Sequence, residues 1–239
     1  LIKHWQNSDK SKSISQLFSS LSSLMQPNNP TSMALAQALT KVSYNQYLHF
    51  CQQLFHQITV EVLIHGNWLP HHATQITDII KQELKGSIDS KNTVTCPVID
   101  IDKRQTLLYP IMLSDHDHAS VIYSPMLDKE DTTTALTMVT SHLLSPLFFQ
   151  KMRTEKQYGY IVGVGYVPIN SYPGIAFYIQ SPHTDSIDLV EIMDEFISDS
   201  LTFLDDISLD DWQELTQGLA GQLQEKDQNL RIKSQRFWA

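Results

Sequence analysis

Strand-like and helical stretches alternate along this chain, the pattern of an α+β fold. Three observations carry that reading. Ile58-Thr-Val-Glu-Val-Leu-Ile-His65 is rich in β-branched residues, which suit a pleated, half-buried surface. Between residues 12 and 25, Ile14, Leu17, Phe18, Leu21, Leu24 and Met25 recur at helical spacing with serines opposite. The stretch from Ser145 to Val162 reads as a short buried helix that stops sharply and runs into a strand.

Composition narrows the class. The chain has 239 residues, enough for one or two domains with a sizeable core. Apolar residues make up 41% and charged residues 18%, a globular balance. The net charge of −9 argues against a nucleic-acid partner, which calls for a basic stripe. No apolar run is long enough to span a bilayer, and the 12–25 helix lacks the Lys and Arg of a lipid-surface helix. Two cysteines, Cys51 and Cys96, do not make a disulfide framework. Two separate buried thiols are expected, although an oxidising compartment permits a bridge.

Taken in order, the 12–25 helix is broken by Pro27-Asn-Asn-Pro30, and a second helical stretch covers 32–40. Ser43-Tyr-Asn-Gln46 reads as a capping box, opening a helix with Tyr47, Leu48, Cys51, Leu54 and Phe55 inward. The 58–65 strand follows, then the turn Gly66-Asn67. Pro70 opens a helix with Ile76, Ile79, Ile80 and Leu84 inward and Gly86 as its stop. Residues 86–96 are the expected boundary between two parts of the chain. Strands are expected at 93–99, 106–113 and 119–124. A helix from Thr132 to Leu144 carries Ala135, Leu136, Met138, Val139 and Leu143, and strands follow at 160–167 and 175–181. A long helix starts at Thr184 or Ser186 with Ile187, Val190, Met193, Phe196 and Ile197 inward. Ser208-Leu-Asp-Asp211 caps a last one bearing Trp212, Leu215 and Leu219.

None of the ten histidines begins H-x-x-E-H or H-E-x-x-H, the helical patterns that bind zinc and supply a base. His49 and His56 lie two turns apart, too far for one ion. His71 and His72 are adjacent and do not share a helix face. Asp115-His-Asp-His118 is the best-looking metal cluster, since alternating residues point one way on a strand; it equally suits a polar turn. Gly163-Val-Gly165 lacks the spacing of a phosphate loop. Glycines inside a strand mark close approach of another backbone, which bound substrate could provide.

The 145–162 stretch is where chemistry concentrates. Ser145 is expected to cap its helix, with Pro146 at the first helical position. Leu147, Phe148, Phe149 and Met152 give the apolar face, and Gly159 the left-handed stop. Arg153 and Tyr160 straddle the corner between helix end and strand start. A rigid corner can aim a guanidinium and a phenol into one cleft, both donating to an oxygen. On spacing alone the simpler reading is that Arg153 pairs with a carboxylate and Tyr160 packs in the core.

Phe149-x-x-Met-Arg-Thr-x-x-Gln-x-Gly-Tyr160-x-Val resembles the signature of the fourth homologous module of the insulinase/pitrilysin zinc peptidases, departing from it by Met152 and Tyr158 for Leu. Val62-Leu-Ile-His65-Gly66-Asn67 resembles a strand and turn near the end of the third module. Gly174-Ile-Ala-Phe-Tyr-Ile-Gln180-Ser181 resembles the strand after the signature. The three matches fall in the family's order.

The resemblance implies a fold of modules, each a mainly antiparallel sheet with helices packed on one face. It implies that residues 1–88 are the C-terminal part of the third module and 89–239 the N-terminal and central part of the fourth, truncated. The parent is then a zinc metalloendopeptidase that degrades peptides, built as a clamshell. Its zinc and general base would belong to the N-terminal half, outside this chain, which would hold no zinc and be inactive alone. Arg153 and Tyr160 would reach the active site, contacting the peptide and the oxyanion. The partners implied are a peptide substrate and the zinc-bearing half of the same polypeptide. The alternative is a non-catalytic, peptide-binding family member. Bacterial pitrilysin-like members point to the periplasm.

Overall fold

The structure is a computed structural model that describes residues 1–56, 58–84, 96–99, 106–112 and 117–238, the side chains of residues 8, 9 and 205 apart. The described residues fall into two compact units. One comprises Leu1–Leu39 and Cys96–Leu223, the other Thr40–Thr95 and Gln224–Ala239.

The first unit is built on a three-stranded antiparallel sheet. Strands β1 (His118–Pro125), β2 (Ile161–Tyr166) and β3 (Gly174–Ser181) lie in the order β1-β3-β2. β3 is central, and Ile179 faces Ser120 on one side and Val162 on the other. A tight turn joins β2 to β3, with Asn170 and Ser171 at φ 49° and 64°. Alternation along β3 sends Ile175, Phe177 and Ile179 to one face. There they meet Leu144, Phe148 and Met152, spaced four apart on one helical stripe, and Leu189, Met193 and Phe196. The first set belongs to α6 (Asp131–Phe149) and its continuation, the second to α7 (Ser186–Asp205). Phe148 is fully buried and meets Phe177 and Phe196 edge-on, with ring centroids 5.6 and 5.0 Å away.

The antiparallel α+β architecture is therefore as expected, with α6 and α7 on one face. The opposite face is also used. Helix α2 (Ser13–Met25), which follows the short α1 (Ile2–Gln6), packs against β1 and β3. Phe18 meets Tyr178 edge-on at 5.4 Å.

Helix α6 departs from expectation. It runs unbroken through Ser145 and Pro146, so Ser145 caps nothing. Pro146 cannot donate a backbone hydrogen bond, yet the neighbouring packing of Leu143, Leu144 and Phe148 holds the helix together. It then widens into a π-helical turn over Gln150–Glu155, where the Lys156 N–H donates to the Lys151 carbonyl five residues back. Its buried stripe also includes Thr137 and Ser141, whose hydroxyls donate to the Thr133 and Met138 carbonyls, while Ala135 and Leu136 face outward. In α7 the buried residue of the first turn is Leu189, and Ile187 is exposed. The last expected helix is two, α8 (Leu209–Gln224), capped by the Ser208 Oγ accepting from the Asp211 N–H, and α9 (Leu230–Trp238).

In the second unit, α4 (Tyr44–Gln53) opens with the expected capping box: Ser43 Oγ accepts from the Gln46 N–H, and Gln46 Oε1 from the Ser43 N–H. Helix α3 (Ser32–Lys41) precedes it and α5 (Pro70–Glu83) follows, with Pro70 in its first turn. The expected inward faces are only partly realised. Tyr47, Leu48, Leu54, Phe55 and Ile79 are exposed, as are both cysteines, which are free thiols. The expectation that Cys51 and Cys96 are buried is therefore corrected. The residues 59–65 also form no strand, and only Ile58 makes a bridge. A β-branched run needs a partner's N–H and C=O groups to become a strand, and no described residue supplies that ladder. His65 instead shares a 2.7 Å hydrogen bond with Ser234 and an edge-on contact with Phe237. The described parts of the expected strands at 93–99 and 106–113 are neither helix nor strand. The Gly86 stop and the 88/89 division lie outside the described residues.

Candidate functional site

The corner after α6 is shaped by one close approach. Gly159 packs against the backbone of β3 so tightly that a Cβ there would lie 2.4 Å from the Gln180 carbonyl oxygen. Gly159 is not the left-handed residue that ends the helix; Gln157, at φ 55°, takes that conformation. Gly159 is instead the residue that lets the chain enter the sheet. The Tyr160 N–H then donates to the Gln180 carbonyl at 3.0 Å, one residue ahead of β2. The corner is thereby fixed to the sheet through its backbone, and its side chains inherit that rigidity.

Arg153 and Tyr160 line one open cleft of about 630 Å³, shared with Phe149, Thr154, Gln157 and His183. Neither takes the simpler course. Arg153 pairs with no described carboxylate; its Nη1 donates to the Gly159 carbonyl at 2.9 Å. That bond uses one of five guanidinium N–H donors. Tyr160 is not core but 42% exposed. Phe149, expected on the buried face with Leu147, is 49% exposed and forms an apolar wall of the cleft.

Beneath the phenol lies a polar network that the sequence did not announce. Tyr160 OH donates to Asp117 Oδ2 at 2.5 Å. Gln180 Nε2 donates to the same carboxylate oxygen at 2.9 Å and to the phenol oxygen at 2.7 Å. Gln180 is fully buried. Its Oε1 accepts from the Ile14 N–H of α2 at 3.1 Å, and a backbone donor there fixes which end of the amide is oxygen. The amide nitrogen and the carbonyl oxygen of this buried side chain are thus both engaged.

Asp117 belongs to the expected Asp115–His118 cluster. Residues 115 and 116 lie outside the described residues, and His118 sits 3.8 Å from Asp185 at the start of α7. Among the described residues, no three His, Cys, Asp or Glu side chains gather as metal ligands would. Gly163 faces the ring of its cross-strand partner Tyr178, whose OH would lie 2.4 Å from an added Cβ. The Tyr178 ring is the neighbour that a side chain at Gly163 would meet. No described helix is long and apolar enough to cross a membrane.

Sheet, corner and cleft define an α+β domain whose cleft opens beside the start of β2. Residues 139–238 match the family described as PQQ synthase PqqF-like, C-terminal lobe domain 4. The chain is 25% identical over 225 residues to insulin-degrading enzyme of Drosophila melanogaster, covering 91% of this chain and 23% of that one. It is 24% identical over 246 residues to the A-factor-processing enzyme of Saccharomyces cerevisiae, covering 100% of this chain and 24% of that one. Protease 3 of Salmonella typhi is 22% identical over 180 residues, 74% of this chain and 18% of that one. The crystal structure of pitrilysin superposes with a TM-score of 0.86 at 20% identity, over 98% of this chain and 25% of that one. Residues 139–238 thus match a C-terminal lobe domain, and the chain along its length is similar to peptidases of the insulinase/pitrilysin type. It spans between 18% and 25% of the length of these relatives.

Proposed function

We propose that this chain is the substrate-closing part of a zinc metalloendopeptidase and that Arg153 and Tyr160 are its contacts to the bound peptide. The observation that carries the reading is their convergence on one open cleft at a backbone-fixed corner. Arg153 brings a charged, planar fork able to bind a carbonyl oxygen or an oxyanion. Tyr160 brings a phenol already held in place. On this reading zinc and the general base belong to the other half of the polypeptide. We assign residues 1–88 and 89–239 to successive modules, and the protein to the periplasm, on the family resemblance alone.

The test uses the full-length protein. Arg153→Ala is expected to lower kcat/KM by about 10²–10³, the usual loss for one oxyanion donor, and Tyr160→Phe by less, with bound zinc unchanged. Unaltered peptidase activity in both variants refutes the contact role. Peptide binding without cleavage by the wild type would make the protein a non-catalytic member of the family.

A further inference from the structure

Asp117 lies 43 residues before Tyr160 in the chain, yet its carboxylate accepts a hydrogen bond from the phenol at 2.5 Å. The same oxygen accepts from Gln180 Nε2, which also donates to the phenol oxygen. Three polar groups thus close a ring of hydrogen bonds at the rim of the cleft. Two of the three are anchored elsewhere. Gln180 sits in the central strand with its carbonyl oxygen on the Ile14 N–H. The Asp117 carbonyl accepts from Ser13 Oγ at the start of α2. The ring therefore ties the phenol to β3 and to α2 at once.

A phenol on a surface corner has two torsions to settle, and a charge-assisted bond to a carboxylate is the strong way to settle them. We infer that Asp117 is a positioning residue: it acts on the peptide cleft through Tyr160, by fixing where the phenol oxygen stands. The inference rests on the role given to Tyr160 above. It goes further by naming what holds that residue and by setting the two donors apart. The Tyr160 proton is engaged by Asp117, whereas Arg153 has given Gly159 one N–H of five. Arg153 is accordingly the donor for developing negative charge, and Tyr160 the oriented wall beside it.

The experiment is a double-mutant cycle in the full-length protein, with a spectroscopic arm. Asp117→Ala is expected to lower kcat about tenfold with KM little changed, the scale of one charge-assisted hydrogen bond. Asp117→Asn, which keeps a neutral acceptor, should recover part of that loss. On a Tyr160→Phe background, Asp117→Ala should cost nothing further, because its effect passes through the missing hydroxyl. In parallel, the 13Cζ resonance of a labelled Tyr160 should move in Asp117→Ala and move less in Asp117→Asn. If Asp117→Ala does not fold, Asp117→Asn carries both arms with smaller changes of the same sign. Full additivity in the cycle, a faster enzyme, or an unmoved resonance overturns the inference. An active Tyr160→Phe variant with a moved resonance leaves Asp117 holding Tyr160 but removes the role given to that tyrosine above.

Discussion

The corner around Gly159 and the helix α4 carry equally clear sequence patterns, and they end in opposite surroundings. At the corner, Phe148 and Met152 are shut inside a core shared with β3 and α7. On α4, Tyr44, Tyr47, Leu48 and Phe50 stand exposed behind a well-made capping box. A cap and a helical period specify that a helix forms. They do not specify what covers its apolar side, because coverage comes from another element. The two regions separate local instruction from tertiary consequence.

The largest expected effect tests that separation directly. Phe148→Ala should cost about 3–5 kcal/mol, the range for emptying an aromatic from a packed core. Leu48→Ala, on exposed surface, should fall within about 0.5 kcal/mol of zero. Denaturation of the full-length variants, with hydrogen exchange read at β3 and at α4, measures both. Comparable losses would show that α4 is as well covered as α6. Gly159→Ala comes next. An added methyl meets the Gln180 carbonyl, which is backbone and cannot swing aside. A loss of about 1–3 kcal/mol is expected, with the Tyr160 N–H to Gln180 bond exchanging faster. A neutral substitution would mean that the corner is looser than it looks.

Two tyrosines sharpen the contrast at a smaller scale. Burial, followed by the neighbouring Tyr166, pushes the half-buried Tyr123 phenol up to about 12. The unfolded chain ionises this group near 10, so it releases its proton first. Stability is then unaffected below pH 10 and declines between about 10 and 12. The expected decline is on the order of 1 kcal/mol, since partial exposure screens the effect. Tyr47 is also raised, but by its hydrogen bond with Cys51 on the same helix face. An alkaline titration should show the folding-linked step vanish in Tyr123→Phe. Cys51→Ala should return Tyr47 toward the ordinary phenol range with that step intact. A step surviving in Tyr123→Phe would place the alkaline sensitivity elsewhere.

What was legible in the sequence was local or periodic. The Ser43–Gln46 box, the α2 stripe, β1, and the β2 and β3 runs form as their residues direct. Arg153 and Tyr160 line one cleft, the placement that a rigid helix-to-strand corner allows. What was not legible depended on distant partners. The Gln180 side chain bonds residues 20, 63 and 166 positions away, and no period connects them. A single buried Gln on a strand was the only available hint. Pro146 misled because an N1 proline and a mid-helix proline look alike until the packing of Leu144 and Phe148 decides between them. Ile58–His65 misled because β propensity names no partner strand.

The central claim is that the corner presents Arg153 and Tyr160 to a peptide. A structure of the full-length protein with an uncleavable peptide seated at its zinc tests it most directly. The account predicts the Arg153 guanidinium within hydrogen-bond distance of the peptide backbone, with the Tyr160 phenol still on Asp117 beside it. A peptide bound at the metal that touches neither side chain would contradict the account.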